Sequence, residues 1–333
     1  MLKTGKLDSK MLAALLSDLP QNREEIILGP GMGRDCCLID FGEAICAMTT
    51  DPITGVSQNQ GVLGVHVSLN DLAAYGAEPI GLLLTLMAPP NSRYGDIETV
   101  MNDAAGEAER MGLDVLGGHT EVTDAVTRLV LSVTAIGKVQ KDRLVMPERI
   151  KPGYRLVMTK AAGIEGTAIL AAECGEALSE ELGEDCIKAA LDMMDDISVL
   201  PESRIAADMG AVAMHDVTEG GLLGAAWEFA EAAGLGLHIY REHIAVSDAT
   251  AAICEYLKID PLKLISSGCM LIAVPESEAL VGALAEAGIS ACDIGCFNER
   301  GDKQIVSNGA KMFIEPPEAD ELYDALARCQ QIV

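Results

Sequence analysis

Apolar residues recur along this chain at two spacings, and the switches between them predict its elements. Residues 8–19 repeat at helical spacing and stop at Pro20, as a short amphipathic helix does. Two short strands are expected next, Cys36–Asp40 and Ala44–Thr50, the second delivering Asp51 at its end. Residues 59–76 return to helical spacing and close at Gly76, before Pro79, with Ala73, Ala74 and Gly76 small enough for close packing. Gly81–Ala88 reads as a buried strand and Arg93–Met111 as a helix with one polar face. Asp114–Gly118 reads as a strand entering a Gly-Gly turn, and Val126–Val139 as a long strand.

The pattern then breaks. Two prolines and a glycine fall within Pro147-Glu148-Arg149-Ile150-Lys151-Pro152-Gly153, so residues 147–153 are expected to link a domain over 1–146 to another over 154–333. Beyond the break, Tyr154–Thr159, Ala211–His215, Leu235–Tyr240, Cys269–Val274, Ala291–Phe297 and Gln304–Ser307 have strand character. Gly163–Cys174, Ala189–Met209 (interrupted by Pro201), Gly221–Ala233, Glu276–Ala287 and Glu318–Cys329 have helical character. Both halves are therefore mixed α+β, without a fixed-period repeat.

Composition narrows the function. The 333 residues are 49% hydrophobic and 23% charged, the profile of folded chains, and only 3% aromatic, which leaves little for a base-stacking platform. A formal net charge of −27 with no basic run excludes binding to a nucleic-acid backbone. The same charge repels triphosphate unless a cation reverses the local sign, so nucleotide binding here should depend on metal. Ten cysteines include no C-x-x-C pair and read as free thiols in a reducing, cytoplasmic setting. No signal-peptide core and no membrane-length apolar run is expected.

Four aspartates stand where elements should end or glycines gather: Gly33-Arg34-Asp35, Thr49-Thr50-Asp51-Pro52, Asn70-Asp71 and His215-Asp216. Magnesium prefers carboxylate, water and phosphate oxygens, so this residue type suits a Mg²⁺–polyphosphate site. Each also has a plainer reading: Asp51 as a turn or helix cap, Asp71 on a solvent-facing stripe. Gly117-Gly118-His119-Thr120-Glu121 offers close backbone approach to phosphate, or an ordinary hairpin turn. Gly163–Thr167, after Lys160, and Glu219–Leu222 each open a helix whose free N–H groups suit an anion, although capping alone accounts for both.

The order and spacing of these segments resemble one superfamily, the AIR synthetase-related (PurM-like) proteins, from Gly5-Lys6-Leu7 to about Gly295. The resemblance rests on Gly33-Arg34-Asp35, Thr49-Thr50-Asp51, the run Ser68 to Pro79, Gly117-Gly118-His119-Thr120 and the run His215 to Leu222. The superfamily includes the HypE-type hydrogenase maturation factor, thiamine-monophosphate kinase, selenide water dikinase and formylglycinamidine ribonucleotide synthetase. It implies a two-domain α+β fold, with a dimerising N-terminal mixed sheet carrying helices and a C-terminal α/β-type sandwich. It further implies ATP and Mg²⁺ as cofactors and phosphoryl transfer to an amide-like oxygen of a small-molecule or protein-bound acceptor. By motif, Asp35, Asp51, Asp71 and Asp216 become the metal ligands, Asp216 from the second domain. Asn70, Gly117, Gly118, Thr120 and Lys160 become the nucleotide contacts.

Two departures separate this chain from its kin. His119 stands where kinase-like members carry an acidic residue, which makes His119 and Glu121 the only catalytic candidates and leaves the general base unassigned. Cys329 precedes Gln330-Gln331-Ile332-Val333 instead of ending the chain as the substrate cysteine of HypE-type proteins does, and it shares a helical stripe with Leu322 and Leu326. Three readings follow: a HypE-like ATP-dependent enzyme, a small-molecule kinase or cyclo-ligase of the same superfamily, or a nucleotide-binding maturation partner without turnover.

Overall fold

Ile45, Ala47 and Ile53 are buried, whereas Cys46, Met48 and Thr50 between them are more open, the period-two signature of a sheet covered on one face. The computed structural model describes residues 5, 7, 9–17, 19–54, 56, 58–317 and 319–332, with backbone only at 9 and 330–332. Lys6, Asp8, Asp18, Glu318 and Val333, named above, lie outside those residues. The chain forms two compact units, one of Arg23–Gly29 with Asp35–Leu144, the other of Met1–Asn22, Pro30–Arg34 and Val145–Val333. The first helix, α1 (Ser9–Ser17), belongs to the second of these.

The N-terminal unit runs β1 (Ile26–Leu28), β2 (Cys37–Asp40), β3 (Ile45–Ile53), α2 (Gln60–Ala74), β4 (Glu78–Ala88), α3 (Tyr94–Arg110), β5 (Asp114–Val122) and β6 (Val130–Val139). Among the described residues its sheet has the order β1-β2-β3-β6-β4-β5, antiparallel except where β5 joins β4. α2 is buried along most of its length, between the sheet and α3. A Cβ added at Gly61 would stand 2.5 Å from the Val100 carbonyl oxygen, so that glycine sets how closely α2 and α3 approach.

Two local expectations change. Asp51 lies inside β3, opposite Val133, because the ladder with β6 continues through Pro52 to Ile53. Gly117 and Gly118 form no turn: they sit in mid-strand, paired in parallel with Leu83 and Leu84. The ladder shifts register by one residue at Leu82/Leu83, and a Cβ on Gly118 would lie 1.8 Å from the Leu84 carbonyl oxygen. Gly118 is there to let two backbones meet.

The C-terminal unit contains β7 (Arg155–Thr159), α4 (Ile164–Leu182), α5 (Glu184–Asp192), α6 (Leu200–Asp208), β8 (Ala213–Asp216), α7 (Gly221–Ala232), β9 (Gly236–Tyr240) and α8 (Asp248–Leu257). It continues through β10 (Met270–Val274), α9 (Glu278–Glu286), β11 (Ala291–Asn298), β12 (Lys303–Ser307), β13 (Ala310–Phe313) and α10 (Glu321–Ile332). Its described sheet is ordered β13-β12-β9-β11-β7-β10-β8, over a core in which Phe229 and Phe297 meet edge to face at 5.6 Å. Pro201 does not interrupt a helix but stands in the first turn of α6, where its missing N–H costs nothing. Residues 147–153 are built into this unit: the Met146 N–H donates to the Val212 carbonyl, and Ile150 joins the core. No helix among the described residues is long and apolar enough to cross a membrane.

Burial holds two carboxyls of this unit above their ordinary range. Glu165 is pushed up to about 7 by burial, although the Ser267 N–H donates to it at 3.3 Å. Asp320 is pushed up to about 6, again by burial, against N–H donation from Leu322, Gly220 and Ile265. A folded-state pKa above the unfolded one means the native state holds the proton more tightly, so stability falls as pH rises from about 4.5 to 7 and stays low above. For Glu165 the span corresponds to about 3 kcal/mol. Glu165→Gln should therefore melt several degrees above wild type at pH 8, with the gap closing by pH 5. An equal gap at both pH values in scanning calorimetry would contradict this. Gly118→Ala should lower stability by about 2 kcal/mol or more, read as a lower melting temperature with loss of amide protection along β4 and β5.

Candidate functional site

Within the N-terminal unit, β3 and α2 bring two of the predicted aspartates to one hydroxyl. Thr49 Oγ1 is hydrogen-bonded to Asp71 Oδ2 and lies 3.3 Å from Asp51 Oδ2. A hydroxyl has one hydrogen, so at any instant it donates to one of these two carboxylates. Asp71 is only 7% exposed, which settles the choice between a solvent stripe and a buried position. Thr49 was visible in the Thr-Thr-Asp motif, but nothing in the sequence marked it as the group between the two acids.

A buried acid on α3, facing α2, shows how this chain compensates such a charge from within. Glu107 Oε1 accepts from His66 Nε2 at 2.7 Å and from Arg110 at 2.5 Å. Burial pushes the Glu107 carboxyl up, but Arg110 and His66 outweigh it and hold the pKa below its ordinary value. The Asp51–Asp71 pair meets at a neutral hydroxyl, the kind of oxygen-rich setting a hard cation occupies.

The β5 residues stand apart in character. Every position of β5 is exposed, and it is the edge strand of its sheet. His119 Nε2 lies 3.4 Å from Glu121 Oε2, an open surface pair of little energetic weight. Gly117, Gly118 and Thr120 present backbone on the side away from β4, where an edge strand leaves alternate N–H groups unpaired by the sheet.

Several expected contacts are corrected. Asn70 has no exposed surface and so offers a ligand nothing in this conformation. The Lys160 ammonium is spent on protein: it pairs with Glu202 Oε1 at 2.6 Å and donates to the carbonyls of Ser198, Asp196 and Gly268. Glu202 is fully buried, so the lysine neutralises it and is not free to hold phosphate. The helix starts expected to bind anions are likewise filled. At α4, Ser266 Oγ accepts from the N–H groups of Gly163 and Ile164, and at α7, Asp320 accepts from Gly220. Ser266 and Asp320 lie about a hundred residues away in sequence, beyond the reach of any local signal. Asp35 is half-buried just before β2 in the N-terminal unit, and Asp216 ends β8, 1% exposed, in the other.

The comparisons with known proteins agree with this architecture. Residues 33–139 match the AIR synthase related protein, N-terminal domain, and residues 151–308 its C-terminal domain. Carbamoyl dehydratase HypE of Rhodobacter capsulatus is 31% identical over 260 residues, 75% of this chain and 74% of that protein. A chain of the crystallised HypE–HypF complex shares the fold with a TM-score of 0.71 at 22% identity, over 84% of this chain and 93% of that one. HypE crystallised with ATP gives 0.67 at 20% identity, over 93% and 91%. With both family domains matched in order across most of its length, the chain belongs to the AIR synthase related family, on its HypE-like side.

Proposed function

We propose that the protein is an ATP- and Mg²⁺-dependent enzyme of the HypE-like kind, activating an amide-like oxygen of its acceptor by phosphoryl transfer. The observation that carries this is the pair of carboxylates, Asp51 and Asp71, set about one Thr49 hydroxyl in a chain of net charge −27. Both offer the hard oxygen donors magnesium prefers, and their shared charge favours a cation at that point. Bound there, Mg²⁺ would supply charge neutralisation for a triphosphate that the protein otherwise repels. The chain's own part is to hold those carboxylates on a rigid strand and a buried helix, so that little reorganisation accompanies catalysis. Asp35 and Asp216 are proposed as further metal ligands, and Gly117, Gly118 and Thr120 as phosphate contacts through the open backbone of β5. His119 and Glu121 are its nearest titratable groups.

The acceptor is open to a second reading for one reason. Cys329 is 3% exposed on α10, which packs against α4. Its thiol neighbours Cys174, whose own pKa burial pushes strongly upward. A thiol so enclosed is unsuited to carry a carboxamide into another site. This favours a small molecule, or a group on a partner protein such as the HypF bound in the solved HypE complex, as acceptor. A cytoplasmic homodimer completes the proposal: β5 leaves Val115, Leu116 and Val122 exposed beside Ile80 on an unpaired edge.

Asp51→Asn and Asp71→Asn should each lower Mg²⁺-dependent ATP affinity at least as much as losing an outer-shell partner does, about 10- to 100-fold, while far-UV circular dichroism stays unchanged. Calorimetry that finds nucleotide affinity unaltered in both variants overturns the metal assignment. Leu116→Asp combined with Val122→Asp should convert a dimer to monomer in sedimentation equilibrium; a wild type that sediments as monomer removes the dimer from the proposal.

A further inference from the structure

Away from the Asp51–Asp71 pair, the N-terminal unit holds a cavity of about 540 Å³ where the first turns of α2 and α3 approach the segment before β6. That volume suits a small molecule, within the usual range of about 300–1,000 Å³. Gln60 and Asp71 sit near opposite ends of α2, about 16 Å apart along its axis, so the cavity is separate from the paired carboxylates.

Its polar lining is unevenly used. Gln60 is 4% exposed, and its Nε2 donates to the Val56 carbonyl at 3.0 Å and the Leu129 carbonyl at 3.3 Å. Both amide hydrogens are thereby spent, which fixes Oε1 as the atom this side chain offers the cavity. Asp96 accepts from the Arg93 N–H through one oxygen and keeps the other. Half-buried Asp103 and exposed Arg128 also line the cavity, and among the described residues neither side chain makes a hydrogen bond or ion pair.

The cavity thus presents acceptor oxygens on one side and a guanidinium on the other. A ligand bearing an ammonium and a carboxylate answers both. We propose that the cavity binds a zwitterion of the amino-acid class, its ammonium on Gln60 Oε1, Asp103 and Asp96 and its carboxylate on Arg128. The site is independent of the phosphoryl-transfer proposal.

Calorimetry on the full chain without nucleotide, using the free L-amino acids as probes, tests this directly. At least one should bind, and its N-acetyl and C-amide derivatives, each with one charge removed, should bind about 10-fold or more weakly. Arg128→Gln should abolish the preference over the C-amide, and Asp103→Asn the preference over the N-acetyl form. Arg128 is exposed and unbonded, so its replacement leaves the fold intact. The proposal is overturned if no amino acid binds at about 10 mM, a concentration that would detect even weak sites. It is equally overturned if methylamine or inorganic phosphate alone binds as tightly, or if both variants keep the wild-type discrimination.

Discussion

One hydrogen shared between two carboxylates is the constraint on which the N-terminal unit turns. Asp71 is carried by a helix buried between sheet and helix, and Asp51 by a strand ladder that extends past it, so neither acid is able to swing away into solvent. Burying like charges together is unfavourable in proportion to how little water reaches them. The chain accepts that cost at a place where its scaffold is stiffest. Glu107 of α3 is also buried, and it is held by His66 of α2 and by Arg110 one turn along its own helix.

The two units resolve their buried charges differently. In the C-terminal unit, Glu202 is answered by Lys160, whose ammonium also gathers carbonyls from three chain positions. Lys160 adopts a left-handed backbone, φ 52°, to reach them. A non-glycine residue is held there only where several bonds fix it, and here they do. Glu165 and Asp320 are held by hydrogen bonds from Ser267 and from backbone N–H groups, and burial raises the pKa of both. The ends of β7, α4 and α7 are thus closed by the protein's own groups.

How much of this was legible follows the range of each interaction. Helical and extended periods located α2, α3, β4 and β6 closely, because periodicity is a local property that burial enforces. The glycine pair at 117–118 was mistaken for a turn because a parallel neighbour, β4, lies outside any local window; the demand for glycine came from Leu84 across the ladder. Pro201 was read as a break when its place in a first turn made it a start. The aspartates could be chosen as candidates from residue type and from family resemblance. That Asp51 and Asp71 meet at Thr49, that Asn70 is enclosed, and that Lys160 is committed to Glu202 are tertiary facts with no sequence shadow. Ser266 and Asp320, which close two helix starts from a hundred residues away, were invisible for the same reason.

The bare flank of β5 has a consequence for the life of the chain before assembly. A strand of nine residues with one row of amides and carbonyls open, and with two glycines whose lack of side chains keeps it flat, is a template onto which other extended segments add. A chain whose β5 flank is bare therefore carries a hazard of strand addition that covering the flank removes. Slow synthesis, chaperone occupancy or prompt encounter with a partner becomes part of how this sequence reaches its working form, and abrupt overproduction is the circumstance under which it should precipitate.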